Sequence, residues 1–341
     1  MWSAASQAFN ISLDDDGDLW LFGKLGEYGR TGGNVMKVDT LSKMKDVSRG
    51  TFFFACVDFE GQVWTYGHWN RATSSSTLEL EAISGLFDIQ KVFCGPYSTF
   101  CIDFDDNIYS FGRNTSGCLG VGEITNIINS PLKIPNLPKI IEIACGNAHT
   151  LFLDSNGNVF YCGQSTNGEC GIPSQESENI PRKHPTLKNI VKISCGDEHS
   201  IVMDNKDHVY SFGKNDNGRL GLGHTLFVRE PKLVPMSEYQ LIKTIEASGV
   251  YSLFLDSDGG LYMAGGTNLP MFGGDRIIIP RIIAENVISI STGPTHFIYR
   301  TSRKIYRCGV SNSNDSTDIT EYSSYFKTPI SIYSKVKSAR K

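Results

Sequence analysis

The chain has 341 residues, of which 32 are Lys or Arg and 36 are Asp or Glu, so its formal net charge is −4. This balance gives no electrostatic basis for binding nucleic acid or an anionic membrane surface. No apolar run approaches the length of a membrane span, and the first residues lack the apolar core of a signal peptide.

One motif recurs seven times along the chain: an apolar strand with an aromatic residue three positions before a closing glycine. The first copy is Leu19–Gly23 and the last is Ile305–Gly309, and the closing glycines are 44 to 52 residues apart. That period is close to the length of a propeller blade, about 40 to 50 residues. The aromatic position is filled in every copy, and we expect its side chains to pack in the core: Trp20, Trp64, Tyr109, Phe160, Tyr210, Tyr262 and Tyr306.

The fifth copy shows the repeat unit at its most regular. Two apolar alternations, Ile190–Ser194 and His199–Met203, flank Cys195-Gly196, and a polar turn leads to the aromatic strand Val209–Phe212. Asn215-x-x-Gly218-x-Leu220-Gly221-x-Gly223 follows this strand. The pattern predicts three short strands with two turns and then a glycine-rich loop. The third repeat has the same loop, and the second repeat has lost it.

The two ends of the chain predict how the ring of repeats closes. The first repeat has no room for the apolar strand that precedes the glycine turn in later repeats, whereas Pro329–Tyr333 resembles a spare strand. We therefore expect this strand to pair with the first blade, which would remove the open edge of the ring. Residues 1–334 are predicted to form one propeller domain, and residues 335–341 a short basic tail.

Cysteine and histidine recur at one repeat position, and the pair has two interpretations. Cys145-x-x-x-His149 and Cys195-x-x-x-His199 resemble half of a zinc site, and His296 occupies the same place without a cysteine. Structural zinc needs four converging ligands, so hydrogen bonds from the histidines to backbone groups between blades are the favoured role. No nucleophile or acid–base constellation stands out from the repeat. We expect no catalytic residue, metal or cofactor.

The nine cysteines are odd in number, and none lies in a Cys-x-x-Cys pair. This usage is typical of a reducing, intracellular compartment. The basic end that contains Lys335 and Lys341 is a weak nuclear signal, so the cytoplasm is favoured over the nucleus.

The combined pattern resembles the repeat of the regulator of chromosome condensation family. Its parts are the glycine turn followed by His-Ser or His-Thr, the Asp-x-x-Gly turn, the aromatic strand and the glycine-rich loop, and it covers nearly all of the chain. The resemblance implies an all-β, seven-bladed propeller with four strands per blade. Members of this family serve in nucleotide exchange on the Ran GTPase, in ubiquitin-ligase modules, in ciliary scaffolds and in plant UV-B perception. Fold alone therefore leaves the function open.

Three functions follow as hypotheses. The first is a monomeric, non-enzymatic interaction propeller that serves as a scaffold or adaptor for another protein. The second is a nucleotide-exchange factor for a Ran-like small GTPase, and the third is a module associated with a ubiquitin ligase. The loop that replaces the glycine-rich turn in the second repeat supplies a candidate partner site: His68, Trp69 and Arg71. The alternative is that Trp69 folds back to fill the space of the lost leucine.

Overall fold

A computed structural model describes residues 9–23, 35–38, 42–67, 80–236, 240–266, 276–293, 296–309 and 320–321. All of their regular structure is β, arranged as seven antiparallel sheets in chain order. The first three sheets are β1 (Phe9–Leu13), β2 (Leu19–Gly23), β3 (Val35–Val38); β4 (Met44–Arg49), β5 (Phe53–Asp58), β6 (Val63–Gly67), β7 (Glu81–Ala82); and β8 (Ile89–Cys94), β9 (Ser98–Asp103), β10 (Ile108–Arg113), β11 (Ile127–Lys133).

The other four sheets repeat the four-stranded meander. They are β12 (Ile140–Cys145), β13 (His149–Asp154), β14 (Val159–Gly163), β15 (Glu178–Lys183); β16 (Ile190–Cys195), β17 (His199–Asp204), β18 (Val209–Gly213), β19 (Val228–Leu233); β20 (Ile242–Ser248), β21 (Tyr251–Asp256), β22 (Leu261–Gly265), β23 (Ile277–Ala284); and β24 (Val287–Thr292), β25 (His296–Thr301), β26 (Ile305–Gly309), β27 (Thr320–Glu321). The all-β, seven-bladed fold predicted from the repeat is confirmed.

The hydrophobic core lies between neighbouring blades. In one cluster, Leu151 and Val159 of the fourth sheet pack against Ile190, Val202 and Phe212 of the fifth. The second strand of most blades is buried at every residue, as in β13 and β21. Both faces of such a strand are covered, which explains its continuous apolar sequence. A blade is therefore stabilised by its neighbours more than by itself.

Polar side chains join the blades near the inner strands. His149 Nε2 lies 2.9 Å from Ser200 Oγ of the next blade, and His199 Nε2 lies 3.0 Å from Ser252 Oγ of the blade after that. Both rings are fully buried, so each hydroxyl satisfies a nitrogen that water does not reach. The contacts join neighbouring blades as the sequence predicts, but the partners of Nε2 are serine hydroxyls where backbone groups were expected.

The glycine-rich loop fixes the outer strand of the next blade. The Gly122 N–H donates to Asn179 O at 2.8 Å, and the Gly223 N–H donates to Ile278 O at the same distance. Gly117 has φ +75, and a Cβ there would lie 2.7 Å from Asn179 Cβ. Only glycine combines this backbone with such a close approach.

The prolines of the repeat lie in the outermost strand of their sheets, where a missing N–H costs least. Pro131 is in β11, Pro181 in β15, Pro231 in β19 and Pro280 in β23. The first sheet has three strands among the described residues, with β1 at its inner edge. Residues 328–333 resemble the outer strands but were expected to complete this sheet. They lie outside the described residues, so closure by this segment stays a prediction.

A contact between the second and seventh blades spans the place where the ring begins and ends. Arg49 Nη2 donates to Thr292 O at 3.2 Å, although the two residues are 243 positions apart. Burial lowers the pKa of Arg49 to about 10, so the guanidinium is still charged at neutral pH. Arg49 precedes the turn glycine of the second blade. The next five blades have cysteine, serine or threonine at this position, and the longer arginine side chain reaches across the first blade to the seventh.

Replacing Arg49 by alanine should weaken the ring at this point. A hydrogen bond from a charged donor contributes about 1.5–3 kcal/mol, and we expect a lower melting temperature with a loss of about 2 kcal/mol in the free energy of unfolding. Urea denaturation measures it. The matched control is Arg113→Ala, which removes an exposed arginine. Equal stability of the two variants would contradict a closing role for Arg49.

Buried histidines should make stability depend on pH. Burial lowers the pKa of His149 to about 4 and that of His199 well below its usual value. Unfolded histidine titrates at about 6.5. Below that pH the unfolded chain therefore binds protons at His149 and His199 that the folded chain does not bind. The stabilisation is complete above about pH 6.5 and is lost as the pH falls towards 4.

The double variant His149→Gln/His199→Gln should be less stable at neutral pH and lose less stability on acidification. Urea unfolding at neutral and mildly acidic pH gives the comparison, and His208→Gln changes an exposed histidine as the control. If the double variant kept the pH dependence of the unmodified chain, other groups would be responsible for it.

Candidate interaction surface

The meander gives the ring two faces with different connections. One face, the loop face, carries the glycine turns between first and second strands and the long loops between third and fourth strands. The other, the turn face, carries the Asp-x-x-Gly turns between second and third strands and the connectors that enter the next blade. Adjacent turns contact one another on each face, as in the bond from Thr51 N to Pro96 O at 3.1 Å on the loop face.

An aspartate organises most turns of the turn face. Asp58 Oδ1 accepts hydrogen bonds from the backbone of Glu60 at 3.0 Å and of Gln62 at 2.9 Å. Its Oδ2 accepts from Trp64 Nε1 at 2.9 Å. The carboxylate thus closes the turn and orients the aromatic residue six positions later. Asp14 holds Trp20 in the same way, and Tyr210 donates to Asp204 Oδ2 at 3.4 Å.

All seven repeat aromatics are partly buried at the rim of the core, a less enclosed place than the sequence predicted. Phe160 and Tyr210 pack against the clusters between blades, and Tyr306 stacks on Tyr299 with ring centroids 4.8 Å apart. In Trp20, Trp64 and Tyr210 the polar edge of the ring reaches the turn aspartate, and in Trp64 and Tyr210 the ring body contacts the core. The position therefore has a mixed role, packing together with turn orientation.

One backbone hydrogen bond defines an equivalent position in five blades. The residue after the turn aspartate donates its N–H to the connector of its own blade. The donors, with acceptors in parentheses, are Phe59 (Lys43), Phe104 (Asp88), Ser155 (Lys139), Asn205 (Asn189) and Ser257 (Leu241), at 2.8 to 3.3 Å. The second and third blades thus carry phenylalanine where three others have a small polar residue.

Three phenylalanines are exposed on this part of the turn face. Phe59 is 68% exposed, Phe104 is 65% exposed, and Phe87 of the intervening connector is 76% exposed. Asp88 joins them. Its carbonyl accepts the Phe104 N–H at 3.1 Å, and the turn of Phe59 packs against its backbone. Phe87 and Phe104 line one shallow hollow. We call Phe59, Phe87 and Phe104 the phenylalanine patch.

Further exposed apolar side chains lie on the same face. Each of six inner strands has a β-bulge at its second residue, and that residue is apolar and exposed in three blades. These residues are Ile141, Val191 and Ile288, and Leu241 lies on a connector. The turn face is therefore rich in exposed apolar residues well beyond the patch, a feature of surfaces that bind other proteins.

The channel between the inner strands is a second concave feature of the ring. Its cavity of about 240 Å³ is below the size of typical ligand pockets, roughly 300 to 1,000 Å³. Lys192 Nζ lies 2.8 Å from Glu142 Oε1. Burial alone would lower the pKa of Lys192, but Glu142 and Glu246 together raise it. The ammonium is thus charged and already paired inside the channel.

Burial holds the Cys195 thiol of the channel in its protonated form. Cys94, Cys145 and Cys195 line the channel, and burial raises the pKa of Cys195 to about 12. A protonated thiol is a poor nucleophile and a poor metal ligand. Within the described part of the chain, no three His, Cys, Asp or Glu side chains converge as a metal site would require.

The model of the RCC1-like domain family matches residues 3–250. The chain belongs to this family. RCC1-like relatives include the ultraviolet-B receptor UVR8 of Arabidopsis thaliana, 31% identical over 196 residues, which are 52% of this chain and 44% of the receptor. The regulator of chromosome condensation of Xenopus laevis is 30% identical over 141 residues, 39% of this chain and 33% of that protein. The matched segments span less than half of either relative.

Solved RCC1-like structures show the same architecture. Yeast RCC1 (Prp20), in its crystal structure with Kap60, superposes with a TM-score of 0.74 at 20% identity, covering 93% of this chain and 84% of that one. Human WBSCR16 gives 0.71 at 18% identity, with 88% of each chain covered. At these identities the likeness establishes the fold alone. No helix among the described residues has the length and apolar character to cross a bilayer.

The structure places only part of the residues that the sequence singled out. His68, Trp69 and Arg71 lie outside the described residues, and their partner-binding role stays a prediction. His296 is buried like His149 and His199. The phenylalanine patch is not part of the pattern that the repeats share, so the repeat pattern does not predict it. The sequence signal for the patch is a departure from that pattern: phenylalanine follows the turn aspartate in only two repeats.

Removing a repeat aromatic should cost less than removing a fully buried ring. Tyr210→Ala loses partial burial and the bond to Asp204, so we expect about 2 kcal/mol, below the 3–5 kcal/mol of fully buried aromatics. Tyr210→Phe keeps the ring and separates the two contributions. Urea unfolding measures both. A loss above about 4 kcal/mol for the alanine variant would place the ring in the core proper.

Proposed function

We propose that this RCC1-like chain is a non-catalytic interaction propeller, a scaffold or adaptor that binds another protein through its turn face. The phenylalanine patch carries the proposal. Three phenylalanines are exposed by 65% to 76% at neighbouring connections of a rigid ring. Large aromatic side chains are frequent binding hot spots, and loops held by a rigid scaffold are common binding sites.

The patch has no structural role that would account for it. At Phe59 and Phe104 the turn uses the backbone N–H, which donates to the connector, and the Phe104 ring also faces the ammonium of Lys45 at 5.1 Å. Serine and asparagine make the same bond at Ser155, Asn205 and Ser257. Keeping an aromatic ring in water is unfavourable unless something covers it part of the time.

The triple variant Phe59→Ser/Phe87→Ser/Phe104→Ser should fold as the unmodified chain does and lose its partner. Affinity capture from the source cell with isotope-labelled quantification measures the loss. The matched control is Leu226→Ser/Phe227→Ser, which removes two exposed apolar residues from a loop of the loop face. We expect melting temperatures within about 2 °C of one another and at least one protein retained by the control but lost by the triple variant.

Retention of every captured protein by the triple variant would contradict binding through the patch. A melting temperature lowered by more than about 5 °C would show that the phenylalanines support the fold instead.

The second candidate is nucleotide exchange on a Ran-like GTPase. It is favoured by the relative named regulator of chromosome condensation and by Prp20p of Saccharomyces cerevisiae, whose solved structure is described together with its binding to Gsp1p and histones. An exchanger acts by binding the nucleotide-free GTPase more tightly than the loaded form, so it needs a surface and no cofactor. The third candidate, a ligase-associated module, is favoured by the name of human HERC6, a probable E3 ubiquitin-protein ligase that is 33% identical over 26% of this chain.

Release of labelled GDP from Ran separates the exchange hypothesis from the scaffold. Stoichiometric RCC1-like chain should leave the release rate unchanged if the protein is a scaffold only. Acceleration of about tenfold or more would favour exchange, and the loop variant Trp69→Ala/Arg71→Ala then tests whether residues 68–71 supply the contact. We also propose a cytoplasmic monomer, on the cysteine usage and the weakly basic tail noted above.

A further inference from the structure

The three phenylalanines of the patch share a neighbour of one charge. Each is followed directly by a carboxylate, in the pairs Phe59-Glu60, Phe87-Asp88 and Phe104-Asp105, and all three acids are exposed. None of the three forms an ion pair with a described lysine or arginine. Other acids of the same face do, since Asp18 pairs with Lys37 and Lys43, and Asp106 with Lys139. The patch thus presents aromatic rings beside unpaired negative charge.

The chain itself shows what this surface attracts. Lys45 Nζ lies 5.1 Å from the centre of the Phe104 ring, in cation–π geometry. Burial lowers the pKa of Lys45, while Asp58, Asp46 and Asp88 act in the opposite direction and favour its charged form. One ammonium therefore lies among a larger number of carboxylates, and the exposed rings of Phe59 and Phe87 have no cation of the described chain over them.

Arginine fits such a surface better than any other side chain. Its guanidinium can stack on an aromatic ring and pair with a carboxylate through two parallel hydrogen bonds at the same time. Lysine offers a point charge without the planar face, and an apolar segment alone would leave Glu60, Asp88 and Asp105 uncompensated in the interface. An anionic lipid surface or a second copy of this patch would bring like charges together.

We propose that the phenylalanine patch binds an arginine-bearing segment of a partner protein, with guanidinium groups on Phe59 and Phe87 and paired with Glu60 and Asp88. This inference rests on the proposed function, because it names the chemistry of the partner for the same surface. Apolar residues between the arginines would cover the exposed area of Phe104, whose ring already faces Lys45.

The probe is a labelled peptide, Gly-Arg-Gly-Leu-Arg-Gly-Leu-Arg-Gly, titrated with the full chain and followed by fluorescence anisotropy. Two further peptides replace every arginine by lysine or by glutamate. We expect the arginine peptide to bind about tenfold more tightly than the lysine peptide, and the glutamate peptide not to bind. Raising the salt from about 50 to about 300 mM should weaken binding several-fold.

Two variants test the assignment to the patch. Glu60→Gln/Asp88→Asn removes the charges and keeps the fold. Glu60 uses only its backbone N–H in the turn, and Asn189 adopts φ 55 at the position equivalent to Asp88, which has φ 53. Phe59→Ser/Phe87→Ser/Phe104→Ser removes the rings. Each should weaken binding of the arginine peptide about tenfold, whereas Leu226→Ser/Phe227→Ser should leave it unchanged.

The inference is overturned if the arginine peptide fails to bind at about 1 mM protein, binds no better than the lysine peptide, or is insensitive to both patch variants. Its failure is distinguishable from failure of the proposed function. A captured protein that the triple phenylalanine variant loses would keep the patch as an interface, and only its preference for arginine would be wrong.

Discussion

Burial of both faces of each sheet is the constraint on which the rest of the structure depends. The second strand of a blade is buried along its length, completely in β9 and up to the last residue in β17. The side chains of β17 reach the cores on either side. A single blade would expose both of these faces to water. The ring is therefore stable only as a closed set, in which neighbouring blades cover each other. The polar contacts of His149, His199 and Arg49 add stability to the ring arrangement, which the burial of the apolar faces already favours.

The same constraint explains which parts of the fold the sequence revealed. Glycine closes the aromatic strand because Gly112 and Gly163 need a positive φ, and a Cβ would meet the backbone of the preceding turn. Such positions accept only glycine, so they recur in the sequence at one position of each repeat. The recurring positions mark the repeats, and the repeats predict the number of blades, the strand order and the equivalent histidines. The partial burial of the aromatics does not follow. The repeat pattern predicts that the position holds an aromatic residue, but it does not predict how much of the ring is buried.

Ring closure was harder to predict for a different reason. Proline marks the outer strands, and Pro329 made residues 328–333 look like a further member of that class. The inner edge of the first sheet is β1, beside Arg49 and the axial channel. An inner strand makes demands different from those of an outer strand: it carries a bulge and lines the channel. Sequence similarity to one class of strand is therefore weak evidence for the position of another.

The binding surface could be predicted only from departures from the repeat. After the turn aspartate the fold requires an N–H and places no demand on the side chain, so selection for stability leaves that position free to be small and polar. Phenylalanine there exposes apolar area to water, and the contact of the Phe104 ring with Lys45 leaves about two thirds of that side chain exposed. Chance could place one such residue, as exposed apolar residues are common on any surface. Three at adjacent connections, each followed by an acid, have no explanation in the fold, and this is the reason to look for function at Phe59, Phe87 and Phe104 before the better-formed channel.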